Sequence, residues 1–324
     1  MMAIIKYCPE DFLVTEIPLR SQKGNSSYYL LKKREYTTVR AIGVIAREVN
    51  LHPKEIGFAG NKDKKAVTTQ FISIKNVSRD HLEHLNLKDI SLTFHSSGNA
   101  PLHLGDLEGN KFEIVIRDLT GEESEQLQQK CTATLTIPNI FGPQRFSTEN
   151  VSIGLLLLKK KFAEAMERII EKDPEYQKEI AEFLKRHPND VVNSLKLIPE
   201  KIGKMYVHAV QSLLWNQTVK RGMEKGIHQE KIPLVGFDYE KKDSEVDRII
   251  EDLMVQNNLT ERDFICKEIP FLTSPGGERS MVMTVHVLCT INEDEIFNGK
   301  KKAILTFTLP KSSYATVVVD YLLH

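Results

Sequence analysis

The sequence predicts an α+β protein in which a helix-rich segment interrupts a sheet-forming domain. Three observations predict it. Segments before Asn150 repeatedly alternate apolar and polar residues, as half-buried strands do. After Asn150 the apolar residues take helical spacing. Strand signals then return between Met281 and the C-terminus. A strand–helix–strand order of this kind suggests a helical insertion within one domain whose last strands rejoin the first sheet.

The elements follow in order. KYCPEDFLVTEIP (6–18) is a Pro–Glu–Asp turn running into a strand, and SSYYLLKKR (26–34) has strand composition. TTVRAIGVIAREV (37–49) is a helix: Val39, Ile42, Ile45, Ala46 and Val49 form one stripe, and Thr37 or Thr38 caps its start. IGFAGNKDKKA (56–66) is a turn-rich loop, followed by the strand TTQFISIK (68–75). VSRDHLEHLNL contains a short polar helical turn, and ISLTFHS (90–96) and NKFEIVIRDL (110–119) are strands. EESEQLQQKCTATL (122–135) reads as a helix, and IPNIFGPQRF (137–146) reads as a loop because of its two prolines and glycine. Helices are expected over 153–172, 174–187, 204–223 and 244–257. Strands are expected at MVMTVHVLC (281–289), AILTFTLP (303–310) and YATVVVDYLL (314–323).

Composition bounds the function. With 41% hydrophobic and 27% charged residues among 324, a soluble globular protein is the default. No apolar run approaches the roughly 20 residues of a membrane span, so no membrane partner is expected. The start, MMAIIKYCPEDF, meets Lys6, Glu10 and Asp11 too soon for a secretory signal. Cys8, Cys131, Cys266 and Cys289 form no CxxC pair and read as thiols of a reducing cytoplasm. His81 and His84 are the closest histidines, and no metal is expected at them. Nucleotide-cofactor, serine-hydrolase and zinc-peptidase motifs are missing. The net charge is 0, but residues 1–80 carry 14 Lys/Arg and 8 Asp/Glu, an excess of +6 offset by −6 elsewhere. A basic front end suits phosphates, and a merely solvated face explains it equally well.

Two stretches carry chemistry. In AGNKDKKAVTTQ (59–70), Asp63 stands among Lys62, Lys64 and Lys65 directly after Gly60 and Asn61. Such a turn can present a side chain to a cleft, and nearby cations favour the ionised form of a carboxylate. An ionised, positioned carboxylate serves as nucleophile or base; a charged surface turn is the plainer alternative. In IPNIFGPQRF, Asn139, Gln144 and Arg145 surround Phe141, an arrangement that can stack and hydrogen-bond a nucleobase, or equally one whose aromatics plug a core. Lys6 is either a ligand-facing cation or a solvated one. Trp215 in YVHAVQSLLWN (206–216) belongs to a core.

Six of these segments, in family order from residue 6 to about 320, resemble the TruD family of tRNA pseudouridine synthases. KYCPEDFLVTEIP is similar to KxxPEDFxVxE, GFAGNKDKKAVTTQ to AGxKDxxAxTxQ, and LGDLEGNKFEIVIR (104–117) to GxLxGNxFxIxxR. IPNIFGPQRF is similar to PNxFGxQRF, YVHAVQSLLWN to AxQSxxFN, and LPKSSYATVVV (309–319) to LPxGSYATxxxRE. The resemblance implies a pseudouridine synthase core, a mixed and mostly antiparallel sheet with flanking helices, carrying an inserted family-specific domain. It places the catalytic domain at 1–150 and 286–324 and the insertion at 151–285, with RNA in the cleft between them.

It also implies a reaction: uracil is detached from its ribose, rotated and rejoined through C5, with no cofactor and no metal. The substrate implied is tRNA, with the uridine at position 13 the usual target. Asp63 matches the catalytic aspartate, Phe141 the aromatic that stacks on a flipped base, Asn139 its polar neighbour, and Lys6 an active-site lysine partnering Asp63. Gln144 and Arg145 match supporting loop residues. Ser147 and Ser312 stand where the family has glycine, which raises the expectation of a positive φ at both. Asp320 replaces an arginine, and Trp215 replaces Phe or Tyr. The alternatives are a non-catalytic RNA-binding or RNA-folding protein on the same scaffold, and a synthase acting on another RNA.

Overall fold

The computed structural model describes residues 3–19, 26–98, 100–147, 149–172 and 176–324. Arg20 and Lys23 of the basic front set, and Pro174 at the expected start of a helix, lie outside the described residues. The chain packs as two compact units, Met1–Thr136 with Thr284–His324, and Ile137–Met283. The first division falls at residue 136, earlier than the boundary expected at 150. The reason is local: the segment at 139–141 is bonded to Trp215 and Asn216 of the long helix Glu200–Glu224.

The first unit is built on a nine-stranded sheet. Its order is Leu288–Glu293, Lys301–Pro310, Leu107–Leu119, Phe12–Pro18, Val67–Ile74, Ser26–Arg34, Ile90–Gly98. The short strands Ile4–Ile5 and Gly57–Phe58 pair with Leu107–Leu119 and Val67–Ile74. All these pairings are antiparallel except that of Phe12–Pro18 with Val67–Ile74, which is parallel. The last strands therefore rejoin the first sheet, as the sequence order implies.

The helix Thr38–Glu48 covers one end of the sheet. Thr37 caps it by accepting from the Arg40 amide. Its stripe of Ala41, Ile42, Ile45 and Ala46 packs on Tyr29, Leu31, Ile72, Ile74 and Leu92, all nearly inaccessible. Nearer the sheet centre, Phe112 stacks on Phe307 at 5.5 Å and meets Phe12 edge-on at 6.3 Å.

Arg117, the last residue of its motif, ties three parts of this unit together. Its guanidinium donates to Asp11 at 2.7–3.0 Å and to Asp294 at 2.9 Å, and reaches Glu295 at 3.1 Å. Asp11, Arg117 and Asp294 are buried, so each charge depends on the others. Asp294 titrates below its ordinary 3.8: burial pushes it up, but the Ile296, Asp118 and Phe297 amides and Arg117 outweigh that.

Several elements differ from the expectations. The segment Ala315–Leu323 is a helix, although its three consecutive valines favour strand. Ala315, Val318, Val319 and Leu322 are buried at helical spacing, and Lys130 donates to the Leu322 carbonyl at 2.9 Å. Packing thus overrides propensity. The expected helix 122–135 ends at Lys130, and Leu135–Pro138 is a strand. The expected helix 153–172 is two helices, Asn150–Leu158 and Phe162–Lys172, broken at Lys160 with φ 57°. In the first of these, Gly154 is needed for close approach: a Cβ there would lie 2.2 Å from the Tyr206 carbonyl oxygen. The strand expected over 281–289 is two, Val282–Val285 and Leu288–Glu293. In the second unit the strands Lys231–Leu234 and Gly277–Ser280 pair antiparallel.

The two serines at glycine positions do adopt positive φ, 49° at Ser147 and 68° at Ser312. Each costs about 1 kcal/mol relative to glycine. Asp320 sits 3.5 Å from His324 on an exposed face.

Arg117→Met should destabilise the protein by about 3–5 kcal/mol in urea unfolding, because Asp11 and Asp294 remain buried without their partner. Asp294 contributes stability above pH 3.8, lost as pH falls through its lower folded value; the variant should unfold at higher pH than wild type. A loss under 1 kcal/mol by the same urea measurement, about what an exposed pair contributes, would refute the network.

Candidate active site

The loop 59–66 is anchored at both ends by buried alanines, Ala59 and Ala66. Ala59 accepts from the Gly105 amide at 2.8 Å, and Ala66 accepts from the Glu35 amide at 3.3 Å. Between them four side chains fix the path. Gln70 donates to the Gly60 carbonyl at 3.0 Å and accepts from the Thr38 hydroxyl at 2.8 Å. The Thr38 hydroxyl in turn accepts the Lys62 amide at 2.9 Å. Glu16, with no exposed side-chain surface, accepts the Phe71 amide at 3.1 Å and pairs with the Lys62 ammonium. Gly60 lets the backbone lie close to that pair, since a Cβ there would sit 3.1 Å from Lys62 Nζ. Lys33, 1% exposed, donates to the carbonyls of Tyr36 and Asp63, the second at 3.2 Å.

Lys62 is thereby turned inward and Asp63 outward. The Asp63 carboxylate remains 39% exposed and meets Lys6 Nζ at 2.8 Å. Lys6 follows the strand Ile4–Ile5 and has φ 57°, a left-handed conformation that costs a lysine about 1 kcal/mol. Its ammonium also lies 3.9 Å above the Phe12 ring. The structure thus brings together Lys6 and Asp63, a carboxylate open to solvent on one side and held by a cation on the other. Lys64 and Lys65 beside it are exposed.

The remaining sequence-predicted residues gather in the second unit. Asn139 is 6% exposed; its amide nitrogen donates to the Ser280 carbonyl at 3.0 Å, and its side-chain oxygen accepts from Arg279 at 2.6 Å. Its carbonyl accepts the Trp215 indole N–H at 3.0 Å. Asn216 brackets Phe141, accepting its amide at 2.8 Å and donating to its carbonyl at 2.9 Å. The Phe141 ring is 9% exposed, edge-on to Trp215, with the Arg279 guanidinium 4.4 Å and that of Arg145 5.6 Å from its centre. Arg145 also donates to Ser212 at 3.2 Å. Gln144 is exposed on the single turn Pro143–Arg145. Trp215 is core, 2% exposed.

Sequence reasoning assigned no site role to Lys33, Glu16, Gln70, Asn216 or Arg279, and it offered Thr38 only as a helix cap, a place that Thr37 takes. Glu16, Lys62, Gln70 and Asn216 stand at fixed positions of the quoted motifs, which is the signal that marks them. Lys33 and Thr38 lie in no motif, and Arg279 becomes visible only through its bonds to Asn139.

These features define an α+β protein whose sheet fixes a cation-paired carboxylate on a tight loop. The model of one family, tRNA pseudouridine synthase D (TruD), matches residues 1–182, 170–232 and 219–321. The chain is 31% identical over 395 residues to a Pyrococcus abyssi protein described as a tRNA pseudouridine synthase D, covering 97% of this chain and 94% of that one. It is 27% identical over 376 residues to the tRNA pseudouridine synthase D of Aquifex aeolicus, covering 97% and 96%. Among solved structures, a Methanosarcina mazei protein described as tRNA pseudouridine synthase D superposes with a TM-score of 0.75 at 25% identity, over 98% of this chain and 93% of that one. The chain belongs to the tRNA pseudouridine synthase D family, and its sheet is the expected pseudouridine synthase core.

Thr38→Val removes the hydroxyl shared by Lys62 and Gln70 with little change of shape. It should lower stability by about 1–3 kcal/mol, and reduce kcat more than it raises KM. Unchanged kcat and unchanged unfolding would show that this bond does not hold the loop.

Proposed function

We propose that the protein converts uridine to pseudouridine in tRNA, with position 13 the target, and that Asp63 is its catalytic carboxylate. The observation that carries this reading is the Lys6–Asp63 contact on a loop whose backbone is already fixed, in a chain of this family. The target nucleotide leaves its stack, as chemistry on a base requires. The N1–C1′ bond then breaks, and positive charge develops at the sugar, where a fixed carboxylate is most effective. Asp63 acts there, as nucleophile on C1′ or as the charge that stabilises the departing sugar. The uracil turns, C5 bonds to C1′, the C5 proton is lost and N1 takes one up. Atoms and electrons balance without an oxidant, a metal or a cofactor.

Lys6 orients Asp63 and keeps it from turning away. Phe141 stacks on the base, and Asn139 orients that loop or contacts uracil. Gln144 and Arg145 support the loop. We assign the catalytic role to Met1–Thr136 with Thr284–His324 and the inserted-domain role to Ile137–Met283. Of the basic front set, Lys33 and Lys62 are spent on the loop itself, while Arg40, Lys54, Lys64 and Lys65 are exposed and suited to phosphates. Work on tRNA in the cytoplasm fits the four free cysteines. No helix among the described residues is long and apolar enough to cross a membrane.

The test is pseudouridine formation in unmodified tRNA transcripts, mapped by nucleotide. Wild type should modify position 13, and Asp63→Asn should bind RNA and fold normally yet give no product. Product from Asp63→Asn would remove Asp63 from the mechanism; product elsewhere would move the substrate assignment. Phe141→Ala should lower turnover strongly, through a lost stacking contact of about 1–3 kcal/mol. Unchanged kinetics, with a stability loss of about 3–5 kcal/mol, would assign the ring to the core instead.

A further inference from the structure

Lys33 is the penultimate residue of the strand Ser26–Arg34, opposite Thr68 of Val67–Ile74. It is 1% exposed, and both its acceptors, the carbonyls of Tyr36 and Asp63, are uncharged. Keeping a cation in such a place costs folding free energy. Selection for stability alone would favour an apolar side chain at this position.

We propose that Lys33 is a positioning residue for the reaction at Asp63. By joining the Asp63 carbonyl to that of Tyr36 it fixes the backbone from which the carboxylate projects, and it sets a buried positive charge behind the reacting group. It acts through Asp63, and the inference rests on the reading of Asp63 as the catalytic carboxylate.

The energetics of the site support this. Burial pushes the Lys33 ammonium down to about 8 from its ordinary 10.5; the Asp63 charge pulls it up, and Lys62 presses it further down. The charged groups acting on it are thus the two on the loop. Lys62 is paired in turn with Glu16 from the strand Phe12–Pro18, and Asp63 with Lys6. Because the folded value lies below the unfolded one, the unfolded chain binds more protons between about pH 8 and 10.5. Lys33 therefore lowers stability below about pH 8, and that penalty is relieved as pH rises to 10.5. The charge needed at the site is lost over the same interval. Turnover and this contribution to stability should move in opposite directions as pH rises, which a purely structural lysine would not produce.

The experiment is a kcat and KM profile against pH on tRNA transcripts, with urea unfolding in parallel, for wild type, Lys33→Met and Lys33→Arg. Wild-type kcat should fall above about pH 8. Lys33→Met should lose about 100-fold in kcat, as displaced catalytic groups do, with KM within about twofold and no alkaline fall at that pH. Lys33→Arg should recover part of the activity and carry the fall to higher pH, because arginine stays charged. Wild-type kcat in a folded Lys33→Met, or an unmoved alkaline fall in Lys33→Arg, overturns the proposal; if Lys33→Met does not fold, Lys33→Arg decides alone.

Failure of the parent reading is separately visible as product from Asp63→Asn. In that event, and equally if no variant turns over, the Lys33 side-chain NMR signal followed with pH decides whether the buried charge acts on the Asp63 carboxylate. A lower titration in Asp63→Asn than in wild type supports it, and identical curves overturn it.

Discussion

Glu16 is a carboxylate with no exposed side-chain surface in the middle of a sheet, and the geometry of the first unit's site follows from its need for partners. A buried charge is tolerated only when paired and hydrogen-bonded. One oxygen takes the Phe71 amide from the neighbouring parallel strand; the other takes the Lys62 ammonium from the loop. Pulling Lys62 inward turns the next residue, Asp63, outward toward Lys6. Thr38 and Gln70 then hold the two peptides on either side of Asn61. The loop's shape is thus set by bonds from buried side chains of three strands and of the helix Thr38–Glu48, while the Asp63 carboxylate stays partly open to solvent.

The same logic recurs around Arg117, where a second buried cation satisfies carboxylates from the N-terminal turn and the C-terminal hairpin. In the second unit the work is done by neutral groups. Trp215 and Asn216, four and five residues beyond Gln211 on one helix, bond the Asn139 and Phe141 backbone, while Gln211 ties the Val235 and Pro275 carbonyls. Trp215 and Asn216 thus brace the 139–141 loop, and Gln211, one turn earlier on the same helix, holds two further segments of the unit.

Much of this was legible in the sequence. The strand character of Val67–Ile74, the alternation in Leu107–Leu119, the stripe on Thr38–Glu48 and the late strand Lys301–Pro310 follow from local pattern. Asp63 stood out as a lone acid among lysines on a glycine turn, while its pairing with Lys6 was implied only by the resemblance of the two motifs to the family's. Ala315–Leu323 was not legible: three valines signal a strand, and only the burial of one face against the rest of the unit makes it a helix. The break at Lys160 was hidden because lysine gives no sign of a left-handed turn. Lys33 was hidden for a different reason. In KKR (32–34) three cations look alike, and only strand alternation, counted from a register the sequence does not state, sends the middle one into the interior.

The loop carrying Asp63 is fixed before any RNA arrives. The most direct measure of this is amide hydrogen exchange at Lys62 in the free protein, since that N–H is bonded to the Thr38 hydroxyl deep in the framework. A preformed loop predicts exchange at least about 100-fold slower than in an unstructured peptide, because exchange then needs a local opening. Exchange at the unprotected rate would contradict the account: the loop would then be ordered only on binding, and the buried framework would not be what aims Asp63.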